Sequence, residues 1–402
     1  MPTCHPQILI IVSLEKTFSQ SAQHPPPTHI DTLLPSKRKP FPKPRTDTLT
    51  MAPDTLPPPA KQPVTLREVA AMAGVSVATA SKALNGQGRM TAETRQRIRE
   101  TAQRLGFRPN SLAQSLLRRR SFTVGLLTND TYGRFSLPVM SGISDALVDA
   151  GVSVFMCNVE DDPRLAQLHV EAMLDKRIDG IIASGKRIDR HLPVDLANLG
   201  VPVIYAFSQP DPDAIAFVSD DAGGARLAVE HFCRLGRRRI AHVSGPASFA
   251  VVNERAQAFR DVLAAHGLPV TEPLLGSWSE AWGHEAVGKL FDGPTLFNKK
   301  GEKPDAVFCG NDQIARGVID ALRERGLGVP GDVGVIGFDN WEIVAEATRP
   351  PLTSVDMNLA ALGREAGLTL LSLVGGQPAA PGIRKLPCRL VVRQSCGRPL
   401  DG

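Results

Sequence analysis

From Phe122 onward, short continuous apolar runs alternate with longer amphipathic stretches. The runs are FTVGLLT (122–128), VSVFMCN (152–158), GIIAS (180–184), VPVIYAF (201–207), RRIAHVSG (238–245), DAVFCGN (305–311) and DVGVIGFD (332–339). Between most of them lie helical patterns, such as DAGGARLAVEHFCRLG (221–236) and NDQIARGVIDALRERG (311–326). A strand that is apolar throughout, rather than at alternate positions, is one buried on both faces. Strand, helix, strand in this form predicts an α/β fold with parallel sheets covered on both sides. The strands are too many for one comfortable sheet, so two doubly wound subdomains are expected. Ligands in such sheets sit beyond the carboxyl ends of the strands. That singles out the ends YAFS, CGND and GFDN.

A different pattern precedes this body. Thr65 and Glu68 have the spacing of a capping box, which starts a helix at Leu66. Leu66, Val69, Ala70 and Ala73 then form one apolar stripe, and Gly74 supplies a left-handed stop. Ser76 caps a second helix that runs to Leu84 and ends at Asn85-Gly86. Its inward face is Ala80, Ala83 and Leu84; its outward face is Val77, Ala78, Ser81 and Lys82. A third helix from Thr91 buries Ile98, Ala102 and Leu105 and stops at Gly106. Two helices joined by a short glycine-containing turn, with a supporting third, make a helix-turn-helix. Small or thin outward side chains let the second helix enter a DNA major groove about 12 Å wide. A plain structural three-helix bundle has the same pattern.

Charge separates these alternatives. The chain has 402 residues and a net charge of +5. Residues 61–121 carry +9 of it, residues 1–60 carry +2, and the remainder is acidic at −6. A basic block on an acidic body is the asymmetry expected of a protein whose one end meets a polyanion. Residues 1–62, with HPPPTHI, PSKRKPFPKPR and LPPPAKQP, are too poor in apolar surface to offset chain entropy and are expected to be disordered. Met51, a short way before the first helix, is an alternative start. The expected boundaries are therefore 1–62 for the tail, 63–107 for the helix-turn-helix, 108–121 for a linker and 122–402 for the two-subdomain body.

Several classes of function find no support. The six cysteines contain no C-x-x-C pair and five lie in or beside apolar runs, which points to buried reduced thiols. The nine histidines form no spaced metal cluster, so neither metal nor cofactor is expected. No Walker loop or G-x-S-x-G appears, which speaks against an enzyme on this scaffold. No apolar run approaches the ~18 residues of a membrane span, and ILIIV (8–12) is too short for a signal-peptide core. A solute-binding protein serving a transporter is disfavoured for that reason, and a cytoplasmic location is expected.

The stretches VTLREVAAMAGVSVATASKALNG, RPNSLAQSL, HVSGP, CGND and VPGDVGVIGFDN…PPLTSV resemble the lactose-repressor family of bacterial transcription regulators, in that family's order, from about Val64 to Val392. The resemblance implies a periplasmic-binding-protein-like sensor behind a DNA-binding domain. It implies a homodimer or dimer of dimers, with double-stranded operator DNA and a small-molecule effector as partners. The effector is expected to be a sugar or sugar derivative, and the action repression. By the same resemblance Val77, Ala78 and Lys82 stand at base-reading positions, and Ser76, Thr79 and Asn85 at backbone-contact positions. Arg is the commoner residue where this chain has Lys82. Lys still reaches guanine O6 and N7, but as a point donor.

The linker matches the family's hinge helix, with Asn110, Ala113 and Leu116 at the minor groove. Leu116 would wedge between base pairs, a cost repaid by the contacts that bending permits. As an amphipathic linker it would instead pack on the body. In the sensor, Phe135, Arg255, Trp278, Asn311 and Asp339 match effector-contacting positions. Each has a structural alternative: turn formation for Asn311 and Asp339, core packing for Trp278. Asp312 is expected to cap the helix that follows it. Phe207 stands where many relatives carry an Asp, which removes a hydroxyl acceptor.

Overall fold

The structure, a computed structural model, describes residues 64–107, 120–294, 297 and 302–397. They fall into two compact units. The tail and the hinge residues Asn110, Ala113 and Leu116 lie outside the described residues.

The smaller unit is three helices, α1 (Leu66–Met72), α2 (Val77–Leu84) and α3 (Ala92–Leu105). Each begins at a hydroxyl cap. Thr65 and Glu68 form the reciprocal capping box, Ser76 accepts from the Thr79 N–H, and Thr91 from the Thr94 N–H. Gly106 at φ +68° closes α3 in the left-handed conformation that glycine adopts without strain. The core is Val69, Ala70, Ala73, Ala80, Ala83, Ile98 and Ala102. Five of these seven are alanine, so the helices meet closely and α2 spends little of its surface on the interior.

The larger unit holds two six-stranded sheets. In chain order its elements are β1 (Thr123–Thr128), α4 (Ser136–Leu147), β2 (Ser153–Asn158), α5 (Pro163–Asp175), β3 (Gly180–Ser184), β4 (Val203–Ala206) and β5 (Ile215–Ser219). There follow α6 (Asp221–Arg234), β6 (Ile240–Ser244), α7 (Ala250–Ala265), β7 (Leu274–Leu275), α8 (Glu280–Phe291), β8 (Ala306–Cys309), α9 (Asp312–Glu324), β9 (Gly334–Asp339) and α10 (Glu342–Ala345). The chain ends with β10 (Thr353–Asp356), α11 (Leu359–Val374), β11 (Gly382–Leu386) and β12 (Arg389–Val391). The first sheet has the order β11-β5-β4-β3-β1-β2, all parallel, and the second β12-β10-β9-β8-β6-β7, parallel except for β12. The inner strands β3 and β6 are buried at every position, as their unbroken apolar runs require, and so is β5, which those runs did not include.

The two subdomains are interleaved rather than sequential, which the strand runs alone did not predict. The chain crosses between them at 219–221, 356–359 and 386–389, so α11 and β11 complete the first sheet after the second has been built. The crossings lie side by side: the Asp220 N–H donates to the Leu386 carbonyl at 2.8 Å, and the Ser219 hydroxyl to the Met357 carbonyl at 2.8 Å. In each subdomain one helix pair packs backbone to backbone over glycines. A Cβ on Gly142 of α4 would stand 1.8 Å from the Ala360 carbonyl oxygen before α11's first turn closes, and one on Gly317 of α9 would stand 1.9 Å from the Glu280 oxygen. All five described cysteines are buried and free, as expected.

Candidate functional site

On the small unit, α2 presents Val77, Ala78 and Lys82 to solvent, with Ser81 half-buried beside them. Ser76 and Thr79 are joined through their hydroxyls at 2.8 Å, and Asn85 caps the helix end by donating to the Ser81 carbonyl at 2.9 Å. Lys82 has no ion-pair partner among the described residues. The face is thus small, cationic and unobstructed. These six residues lie together on one helix and its caps, as their sequence spacing requires.

On the large unit, Phe135, Arg255, Trp278, Asn311 and Asp339 converge on one cavity of about 250 Å³ between the two sheets. They come from four different strand-to-helix connections and one helix. Phe135 follows the first of these connections, where the Asp130 carboxylate accepts from the Phe135 and Ser136 N–H groups (2.6 and 2.9 Å) and so caps α4. Asn311 follows β8, Asp339 ends β9, and Trp278 precedes α8. Trp278 lies flat where only glycine leaves room: a Cβ on Gly245 would be 2.3 Å from its ring, and one on Gly310 would be 3.2 Å from it.

One expectation needs correction. Asn311, not Asp312, caps α9, its Oδ1 accepting from the Ile314 N–H at 2.8 Å. Asp312 is instead the first residue of the helix, fully buried. It accepts from the Trp341 N–H at 2.7 Å and from the Ser354 hydroxyl, which pins the turn that presents Asp339. Burial pushes its carboxyl up to about 7, against the lowering effect of those two hydrogen bonds. Arg255, at an expected effector-contacting position, lines the cavity and is also a buried strut. It bonds Asp221 through Nε (2.7 Å) and Nη2, and the Gly310 carbonyl through Nη1 (2.6 Å), with its guanidinium 3.5 Å over the Phe338 ring.

The structure also brings in residues that the sequence did not single out. Arg134 reaches across the cleft to Asp339, donates to Gln313 at 3.2 Å, and lies near the rings of Phe135 and Trp341. Its burial lowers its pKa to about 10, chiefly by desolvation, which still leaves it charged. At the other end of the cavity, Arg187 holds Asp189 through two bonds of 2.8 Å and donates to the Ser248 carbonyl at 2.7 Å. Phe135 stacks on Phe207 at 5.0 Å, and Phe249 meets Trp278 edge-on at 5.4 Å. Phe207 and Asp339 both have left-handed backbones, at φ +56° and +100°. Such non-glycine conformations cost on the order of 1–3 kcal/mol and collect at binding sites. No local pattern announces the reach of Arg134 to Asp339 or of Arg187 to the Ser248 carbonyl, because those partners lie in the other subdomain.

Chemically, the cavity can hold a small molecule between aromatic faces and fixed polar groups, and its two walls belong to different subdomains. It shows no nucleophile and base in hydrogen-bond contact. Among the described residues no group of His, Cys, Asp and Glu could hold a metal ion, and no helix is long and apolar enough to cross a membrane.

Comparison with known proteins gives this geometry its context. Residues 65–110 match the family model for bacterial regulatory proteins of the lacI family, and residues 229–396 match that for a periplasmic binding protein-like domain. The chain is 34% identical over 338 residues to catabolite control protein A of Priestia megaterium, covering 83% of this chain and 99% of that one. It is 30% identical over 341 residues to the HTH-type transcriptional regulator CelR of Thermobifida fusca, covering 82% and 98%. Among solved structures it resembles the lac repressor dimer bound to operator and the anti-inducer ONPF, with a TM-score of 0.63, 27% identity and coverage of 84% and 100%. It also resembles the CelR–cellobiose complex, with a TM-score of 0.57, 29% identity and coverage of 83% and 99%. With a matching DNA-binding module at one end, and regulators aligned over nearly their whole length, the chain belongs to the lacI family of bacterial regulatory proteins.

Proposed function

We propose that this DNA-binding transcription regulator is a repressor that acts as a homodimer, or dimer of dimers, and is not an enzyme. In this reading Lys82, Val77 and Ala78 read bases in each half-site, while Ser76, Thr79 and Asn85 hold the DNA backbone. Leu116, with Asn110 and Ala113, serves the minor groove. A small-molecule effector, a sugar or sugar derivative, binds in the 250 Å³ cavity and changes operator affinity. The observation that carries the reading is the convergence of five dispersed residues, Phe135, Arg255, Trp278, Asn311 and Asp339, on one cavity walled by both subdomains. Asp339 accepts from the effector, Trp278 covers an apolar face, and the Asn311 amide donates. Arg255 acts mainly by holding the strand end around Gly310 in place. A ligand that touches both walls binds their closed arrangement better than their open one, and only that differential affinity can shift the balance. A typical coupling is about 1–3 kcal/mol, or about 5–150-fold in operator affinity, with reciprocal weakening of effector by operator.

The test is a thermal-shift screen against a carbohydrate and metabolite panel, with operator titration of each hit. Asp339→Ala is expected to abolish the shift while leaving operator binding intact. A hit that stabilises this variant as well as the parent would put the effector elsewhere.

A further inference from the structure

The polar atoms that line the proposed effector cavity are largely spent on one another, and what remains is one-sided. The Asn311 Oδ1 is taken by the Ile314 N–H at 2.8 Å. A backbone N–H can be met only by the amide oxygen, so the NH₂ group is the part left over. Arg255 commits three of its five N–H groups, to Asp221 and to the Gly310 carbonyl, leaving one on each terminal nitrogen. Arg187 spends Nε and Nη2 on Asp189 and Ser248, leaving Nη1. The Arg134 Nε is buried without a partner. Acceptors are scarcer. Both Asp189 oxygens are engaged, by Arg187 and by the Ala250 N–H at 2.8 Å, and Asp339 gives Oδ2 to Arg134. Among the described side chains that line the cavity, donors are therefore left over on several residues, while the Asp339 Oδ1 is the one carboxylate oxygen without a hydrogen bond.

That balance discriminates between ligands. Every hydroxyl of a neutral polyol brings an O–H that needs an acceptor once buried, and this cavity has few to give. A carboxylate or phosphate brings acceptors only, and hydrogen bonds from cationic donors to it are the strong ones. A second observation points the same way. The cavity adjoins a pocket of about 480 Å³ that shares Lys186, Arg187 and Phe249 with it and adds Arg190 and His191. The acids in reach there are already held: Asp161 by Lys186 and Asn129, at 2.5 and 3.0 Å, and Asp211 by the Tyr205 hydroxyl, with His191 at 3.6 Å. The guanidinium of Arg190 makes no hydrogen bond or ion pair among the described residues. The adjoining pocket is thus cationic, and the cavity, at about 250 Å³, lies below the usual 300–1,000 Å³ of drug-sized pockets. That size suits a single ring.

We propose that the effector is a single-ring compound bearing an oxyanion, carboxylate or phosphate, rather than a neutral sugar. The ring lies between the Phe135–Phe207 and Phe249–Trp278 pairs, and the oxyanion is held by Arg187, with Arg190 adding its charge from the adjoining pocket. This rests on the reading that the effector occupies the cavity, and it narrows the ligand's class.

Matched probes test it: galactose, galacturonate and galactose 6-phosphate, and glucose, glucuronate and glucose 6-phosphate, by thermal shift and calorimetry on the full chain. At least one acid is expected to bind, and at least tenfold more tightly than its neutral parent. The carboxylate and phosphate arms tell which oxyanion is meant. Arg190→Gln, at an exposed residue whose side chain bonds nothing else in the described fold, is expected to weaken the acid about 3–10-fold and to flatten its salt dependence. Asn311→Asp keeps the oxygen that caps α9 but replaces the NH₂ donor with negative charge, and is expected to abolish binding of the acid. A neutral parent that binds as tightly as its acid, or the absence of any acid hit, overturns the proposal. If neutral sugars bind and Asn311→Asp alters that binding, the cavity reading stands and only the oxyanion falls. If an acid binds Asn311→Asp unchanged, the ligand is outside the cavity and both readings fall.

Discussion

The Asp189 carboxylate, on the first subdomain, accepts a 2.8 Å hydrogen bond from the N–H of Ala250, the first residue of α7 in the second. Phe249 at the cap position of α7 provides no side-chain acceptor, so this long helix takes its cap from across the cleft. A carboxylate at a helix N-terminus also meets the positive end of the helix dipole. The Arg187 guanidinium, 3.6 Å over the Phe249 ring, holds the carboxylate in position. Subdomain closure and helix capping are here one contact.

Asp189→Ala should therefore weaken whatever binds in the cleft. Loss of a cap costs roughly 0.5–2 kcal/mol, and here only in the closed arrangement. Effector affinity should fall about 3–30-fold, with melting of the unliganded protein changed much less. Calorimetry of a cleft ligand on parent and variant checks this. Equal affinities would show that closure does not depend on the cross-cleft cap.

Lys82→Ala should lower affinity for the specific operator by about 1–3 kcal/mol for each lost base contact, and affinity for random DNA much less. Mobility-shift titrations on both DNAs separate the two terms. Equal loss on both would reduce Lys82 to a phosphate contact.

Two glycines on α8 should respond in opposite directions to the same methyl group. A Cβ on Gly283 would lie 2.1 Å from the Ile314 carbonyl oxygen, whereas the nearest atom to one on Gly288 is the flexible Arg325 Nη2 at 3.5 Å. Gly283→Ala should destabilise by about 1–3 kcal/mol through overpacking, since α8 and α9 cannot separate without opening their shared core. Gly288→Ala should stabilise by roughly 0.5–1 kcal/mol, because alanine loses less backbone freedom in a helix. Urea unfolding of both variants is the measurement, and the opposed signs are the result to look for.

His242 should make the protein lose stability as the pH falls. Its Nδ1–H donates to the Phe308 carbonyl at 2.9 Å, its Nε2 is buried without a partner, and its ring stacks on Phe308 at 4.6 Å. Burial, with smaller effects from Arg255 and Arg260, lowers its pKa to about 4, against the raising effect of the Phe308 bond. The unfolded chain takes up this proton near pH 6.5 and the folded protein only near pH 4. The histidine's contribution is thus fully present above pH 6.5 and is lost as the pH falls toward 4, by roughly 3 kcal/mol. His242→Phe should flatten that part of the stability–pH curve. Parallel curves for parent and variant would contradict it.

The sequence by itself determined the local structure. Thr65–Glu68, Ser76 and Thr91 fixed the starts of the three small helices, because a cap and its helix lie within four residues of each other. Unbroken apolar runs fixed the central strands, since only a position covered on both faces tolerates apolar residues at every site. Matching motifs also named the dispersed residues Phe135, Trp278, Asn311 and Asp339. What tertiary structure decided was every choice between partners remote in sequence. The strands at 215–219, 274–275, 353–356, 382–386 and 389–391 went unread because they are short; 382–386 is also exposed along most of its length, and it belongs to a sheet begun some 260 residues earlier. The caps of Asn311 and Asp312 could not be told apart by adjacency. Only the fold brings Ser354 and the Trp341 N–H to Asp312 and leaves Asn311 to cap α9. Arg134 and Asp189 went unread because their cross-cleft partners, Asp339 and the Ala250 N–H, are remote in sequence. An ion pair across a cleft depends on how two sheets face each other, and that is settled by chain crossings and glycine-backed helix contacts rather than by any stretch of residues that can be read in isolation.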